Sequence, residues 1–266
     1  MLTVAIPLAA AALVWWAATG VLLRVVALPR ATHGRSFAVV SVLGLVGLWG
    51  LARAGGETGA GAAYAAFGCA ILVWAWQEAA FLLGFVTGLR VAAPPRGAPR
   101  WQRFVRAFAA LLWHELAMAL GAALVLALTW DASNRVGAWT YLVLWVMRIS
   151  SQLNLFLGVR NRGAELLPPH LRHLDAYFEH RPINGLWPLS VIGGAAASWL
   201  MLEPAFGVDA DVRTVTERTL VATLLALAVI EHLVMVLPLR IDGWFGAAPP
   251  AATAPTALGE PGRNEP

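Results

Sequence analysis

LTVAIPLAAAALVWWAATGVLLRVVAL, residues 2 to 28, contains one charged side chain, Arg24. At ~1.5 Å per residue, about twenty apolar residues cross the ~30 Å hydrocarbon core of a bilayer, and a core helix of a soluble domain is seldom so long or so apolar. Comparable windows predict helices near 3–28, 37–54, 62–89, 104–130, 137–159, 184–202 and 217–239. The fold class expected is therefore all-α, a polytopic transmembrane bundle of about seven spans over residues 1–242, with membrane lipid as its solvent. The composition agrees, being 59% hydrophobic and 13% charged. The first run lacks a basic leader and is too long for a signal peptide, so it is expected to stay as a span. The tail 243–266, rich in Pro and Ala, is expected to be disordered.

All nineteen basic residues are arginine. They are scattered through loops rather than clustered on one face, which argues against a nucleic-acid partner. Assigning loops alternately to two sides collects Arg24, Arg30, Arg35, Arg90, Arg96, Arg100, Arg103, Arg106, Arg160, Arg162, Arg172, Arg181, Arg240 and Arg263 on one. Only Arg53, Arg135, Arg213 and Arg218 fall on the other. The positive-inside rule makes the rich side cytoplasmic, giving an N-out, C-in chain. Cys69 is the single cysteine and reads as a small buried hydrophobe. Ser190, Gly194 and Ser198 recur four apart and offer a face for close approach of another helix, within the chain or outside it.

Within the spans stand Gln77, Glu78, His114, Glu115, Arg148, Ser151, Gln152, Asn154, Glu231 and His232. Counted from the cytoplasmic ends of the predicted helices, Glu78, Glu115 and Arg148 are each about eleven residues deep and Glu231 about eight, or roughly 12–16 Å. An isolated charge at that depth costs about 2.5–3.5 kcal/mol on insertion scales, so these groups should face inward and meet. Helices four and five are joined by a short loop, which predicts that Glu115 pairs with the guanidinium fork of Arg148.

Four uses of such a layer are open. It can fix helix register as a buried polar network. It can hold a metal, but His114-Glu115-Leu116-Ala117-Met118 lacks the second histidine of a zinc helix, and no metal is expected. It can conduct a proton or substrate, although no inverted repeat or pair of broken helices is visible. It can ligate a tetrapyrrole through His114 or His232, each with alanine one turn earlier, at 110 and 228. Trp113 makes His114 the better ligand for bacteriochlorophyll.

LLPPHLRHLDAYFEHRP, within the cytoplasmic segment 160–183, reads as a short interfacial helix. Its apolar face is Leu171, Leu174, Tyr177 and Phe178, and Arg172, His173, Asp175, Glu179 and His180 form a solvated side. WTYLVLWVMRISSQLNLFLGVRN and ELLPPHLRHLDAYFEHRPINGLWPLSV, with WQEAAFLLGFVTG and LLWHELAMAL before them, resemble the PuhE family, photosynthetic complex assembly protein 2. The resemblance runs from about Tyr64 to Leu239. It implies a bacterial inner-membrane protein, cytoplasmic or intracytoplasmic, that assists photosynthesis through reaction-centre and light-harvesting complex assembly or the linked bacteriochlorophyll supply. Reaction-centre or light-harvesting polypeptides are the implied partners. It supplies no catalytic residues, so an assembly factor is read first, a membrane enzyme or pigment carrier second and a transporter third. Reporter fusions after Arg100 and Arg172 should report cytoplasm and one after Asp211 periplasm. A periplasmic signal at either of the first two would refute the orientation.

Overall fold

The structure is a computed structural model that describes residues 2–90, 92, 95, 97–164 and 167–238. The tail 243–266 and the last residue of the seventh expected span lie outside the described residues, as do Arg96, Arg240 and Arg263. Seven long α-helices stand among the described residues: α1 Leu2–Ala27, α2 His33–Gly55, α3 Ala60–Leu82, α4 Arg100–Leu128, α5 Val136–Leu157, α6 Leu186–Leu202 and α7 Val212–Val234. One isolated bridge, Val159 to His180, is the β structure recorded there. Five segments are long and apolar enough to cross a membrane, namely Leu2–Ala27, Arg30–Gly55, Ala60–Leu82, Arg100–Leu128 and Leu186–Phe206. The protein is thus an all-helical, multi-pass bundle. α5 and α7 fall short by that measure; α5 carries Arg148 and its polar neighbours, and α7 carries Arg213, Glu217, Arg218 and Glu231.

Those polar helices lie inside. α3, α5 and α7 pack on one another, α1 lies across α3 and α7, α2 forms a hairpin with α3, and α6 lines α7. α1 and α6 bury little of their surface and present Leu13, Trp16, Leu189, Ile192 and Leu200 outward. Apolar helices thus separate the charged ones from lipid. The α2–α3 approach is close because α2 is glycine-lined there. A Cβ at Gly47 would sit 2.8 Å from the Cys69 carbonyl oxygen, and one at Gly44 would sit 2.9 Å from Trp76 Cβ. Cys69 packs into this seam. The small face of α6 turns inward in the same way: Ser198 Oγ donates to the Ala222 carbonyl, and a Cβ at Gly194 would meet Val229.

The helical pattern to residue 89 breaks earlier than the sequence predicts. α3 stops at Leu82 because Gly84 takes φ +88°, where a side chain is strained. Phe85 and Val86 donate back to the Ala80 carbonyl of α3, and residues 87–89 then run without helix against α4. Leu89 N donates to the Ala109 carbonyl and His114 N to the Thr87 carbonyl. The second bond takes an N–H that a regular α4 would direct at Ala110, so the segment wedges into the helix's own ladder. Non-helical backbone at such a position is tolerated because protein, not lipid, satisfies it.

The short helix expected within residues 160–183 is also relocated. It is a 3-10 turn, Arg172–Tyr177, whose buried Leu171, Leu174 and Tyr177 pack on Phe81 and Ala110, with Phe178 beside them. The apolar face predicted for a membrane surface closes the end of the bundle. Asp175 pairs with Arg162 at 2.6 Å, and Glu179 with Arg103 at 2.5 Å and Arg181 at 2.6 Å, so the acidic side is engaged rather than simply solvated.

A Cβ at residue 88 would collide with the Ala110 carbonyl, whereas one at residue 68 meets nothing within 4 Å. Gly88→Ala should therefore lower thermal stability in detergent by roughly 1–3 kcal/mol, while Gly68→Ala should be neutral or stabilising by up to ~1 kcal/mol. Equal melting of the two variants would refute the wedge.

Candidate functional site

α3 and α5 bring Glu78 and Arg148 together, with Arg148 Nη1 2.6 Å from Glu78 Oε1. The contact lacks the direction of a good hydrogen bond and Arg148 Nε has no partner, so charge rather than a guanidinium fork holds the pair. The guanidinium also lies 5.6 Å from the centre of the Phe81 ring.

Glu115 therefore does not pair with Arg148, as its depth predicts. It accepts a hydrogen bond from Gln152 Nε2 at 2.9 Å. Helical side chains lean toward their own N-terminus. α4 and α5 run in opposite directions, so Glu115 and Arg148 lean apart, and Gln152, one turn further along α5, meets the carboxylate. α3 and α5 run the same way, and Glu78 and Arg148 lean together. The equal depths also dissolve, since Glu78 is four residues from the end of α3 and Arg148 nine from the end of α5.

The remaining residues form two networks. Buried Gln77 donates to the Ala117 carbonyl and accepts from the Tyr141 hydroxyl at 2.5 Å. Asn154 Nδ2 donates to the Ser150 carbonyl and to Ser190 Oγ, while its Oδ1 accepts from Asn184. Ser150 Oγ also lies 3.0 Å from His232 Nε2, and His232 Nδ1 lies 2.8 Å from the Ala228 carbonyl. A carbonyl only accepts, so Nδ1 carries a proton, and Nε2 faces the Ser150 hydroxyl, which also donates to Ser190 Oγ at 2.9 Å.

Neither histidine keeps a face for a pigment. Both nitrogens of His232 are engaged within the bundle. His114 is fully buried against the Phe81 ring, at 4.5 Å between centres, and its nitrogens have no partner among the described residues. The slot over Ala110 where a macrocycle would lie is filled by Gly88 of the wedge. Trp113 points outward, half exposed. Among the described residues no three His, Cys, Asp or Glu side chains are grouped to hold a metal.

What sequence reasoning missed is a cleft beside the layer. A cavity of about 260 Å³ between α1, α3, α5 and α7 is walled by Trp15, Thr19, Trp74, Glu78, Arg148, Ser151 and Glu231. A second, of about 620 Å³, shares Trp15, Thr19, Ser151 and Glu231 and runs past Trp16, Leu155 and Ile230 to Asn161 and Arg162. Glu231 has no ion-pair partner among the described residues and is exposed along the cleft. The arrangement suits an elongated apolar molecule whose polar group meets Glu231 and Ser151. The Trp15–Trp16 pair of α1 was the available signal.

The chain matches, over residues 1–252, the family described as protein of unknown function (DUF3623). It is similar to a Rhodobacter capsulatus protein named as an uncharacterized 30.4 kDa protein in the puhA 5' region, with 36% identity over 230 residues, 85% of this chain and 84% of the relative. No solved structure matches it.

The pairing predicts a thermodynamic cycle. Glu78→Gln and Arg148→Gln should each cost about 3 kcal/mol, since either leaves a charge without its partner, and the double change should recover part of that loss. Glu115→Gln combined with Arg148→Gln should be closer to additive. Thermal melts in detergent decide it, and additivity at Glu78 would remove the pair.

Proposed function

The chain belongs to the DUF3623 family, and from that premise we propose that it is an integral membrane assembly factor for bacterial photosynthetic complexes. It acts on reaction-centre or light-harvesting polypeptides, or on the bacteriochlorophyll supply linked to them. The observation that carries the reading is the gene position in the name of the Rhodobacter capsulatus relative, in the puhA 5' region, a photosynthesis gene region. The PuhE resemblance of the central block supports the same role. In this reading seven helices cross the inner membrane and the arginine-rich end faces the cytoplasm.

The cleft favours a second reading, a pigment or lipid carrier. A tetrapyrrole there would rest on Trp15 and Trp74 and meet the Glu231 carboxylate rather than an imidazole. Transport is a third use of the layer, tested by substrate flux into sealed vesicles.

Deleting the gene should lower the absorbance of mature photosynthetic complexes while respiratory growth continues. Affinity purification from phototrophic cells should then recover antenna or reaction-centre polypeptides without stoichiometric pigment. Unchanged spectra under all growth conditions would end the proposal. Stoichiometric pigment, lost in Glu231→Gln or Trp15→Leu, would favour the carrier.

A further inference from the structure

The arginine-rich end of the bundle holds a cavity of about 370 Å³ that is separate from the cleft. Its walls come from the α1–α2 connection with the first residue of α2, the segment after α3, Ala110 of α4, and residues 170–173 at the start of the 3-10 turn. They contribute Arg30, His33, Arg90, His170 and His173, and among the described residues no carboxylate lines it. Arg103, Arg162 and Arg181 each hold an acidic partner, whereas Arg30 and Arg90, like Arg24, Arg35, Arg100, Arg160 and Arg172, are exposed and form no ion pair among the described residues. Arg30 and Arg90 differ in lining this cavity together.

The histidines are oriented by backbone carbonyls. His33 Nε2 lies 3.0 Å from the Leu28 carbonyl and His173 Nδ1 lies 2.9 Å from that of His170. The other nitrogen of each ring is left free of that bond, and donates to an oxyanion when the imidazole is protonated. His170 Nε2 is buried with no hydrogen-bond partner among the described residues, and a Cβ at Gly84 would stand only 3.0 Å from it. Burial first, and then the charges of Arg30, His33 and His173, hold the His170 imidazole below its ordinary pKa. Two guanidinium groups thus border a cavity that no carboxylate among the described residues lines.

We propose that this cavity is a phosphate-binding site, which takes the group from an anionic lipid headgroup or from a soluble phosphate. Two guanidinium groups with flanking imidazoles match a tetrahedral oxyanion better than a lone carboxylate, which offers two oxygens in one plane. The site opens at one end of apolar helices, within reach of a headgroup, and basic pockets between membrane helices recognise lipid phosphates elsewhere. It is independent of the assembly role and of the cleft.

The full chain, purified in neutral detergent and stripped of lipid, tests it in two arms. In one, thermal midpoints are followed as inorganic phosphate replaces chloride at constant ionic strength. In the other, retention of phosphatidylglycerol against phosphatidylcholine is counted by native mass spectrometry. The expected result is stabilisation or selective retention that weakens about tenfold in the Arg30→Gln/Arg90→Gln double variant. Arg30→Lys/Arg90→Lys should keep most of the affinity, and Arg53→Gln, at the other end, should change nothing. A response to phosphate alone identifies a soluble ligand, and one to phosphatidylglycerol alone identifies a headgroup. No response in either arm, or one that survives the glutamine double variant, overturns the site.

Discussion

The ion pair between Glu78 and Arg148 is the contact around which the bundle is arranged. A guanidinium and a carboxylate at bilayer depth are tolerable only if they meet and if other helices stand between them and the acyl chains. Both conditions are visible. α3 and α5 run side by side in the same direction, so the two side chains lean together. α1, α2 and α6, nearly free of charge along their middles, lie to the outside and take the lipid contact. The pair also explains why the neighbouring polar residues have uncharged partners. With Arg148 committed to Glu78, Glu115 turns to the Gln152 amide, and Glu231 is left to the cleft.

The helices were legible in the sequence to within a few residues at most ends, because apolar run length is set by bilayer thickness and little else. The small face of α6 was also legible, and its intramolecular use follows from α7 lying against it. The pairing of charges was not. Depth along each helix can be counted, but whether two side chains lean together depends on which helices are neighbours and in which direction they run. The pigment reading of His114 failed for a related reason. An alanine one turn away shows that space exists on the helix, not whether the chain itself fills it.

The end of α3 was hidden because Leu83, Phe85, Val86 and Leu89 continue the apolar pattern of a helix. Gly84 and Gly88 were the local signs of a break, and glycines in an apolar run are common enough in membrane helices to carry little weight. Once the break is known, the 3-10 turn Arg172–Tyr177 is explained too. Shortening α3 exposes Phe81 at the end of the bundle, and Leu171, Leu174 and Tyr177 cover it.

The non-helical segment 85–89 also constrains how the protein can be made. Its amides and carbonyls bond in part to α4, which the ribosome synthesises after it, so it cannot enter hydrocarbon with α3 alone without stranding polar backbone. α3 and α4 should therefore leave the translocon as a single hairpin, with the segment held in water or in the insertion channel until α4 arrives. A nascent chain halted before Leu128 would hold α3 in the bilayer with its last polar turn unsheltered, making this hairpin the step at which quality-control proteases have the most to recognise.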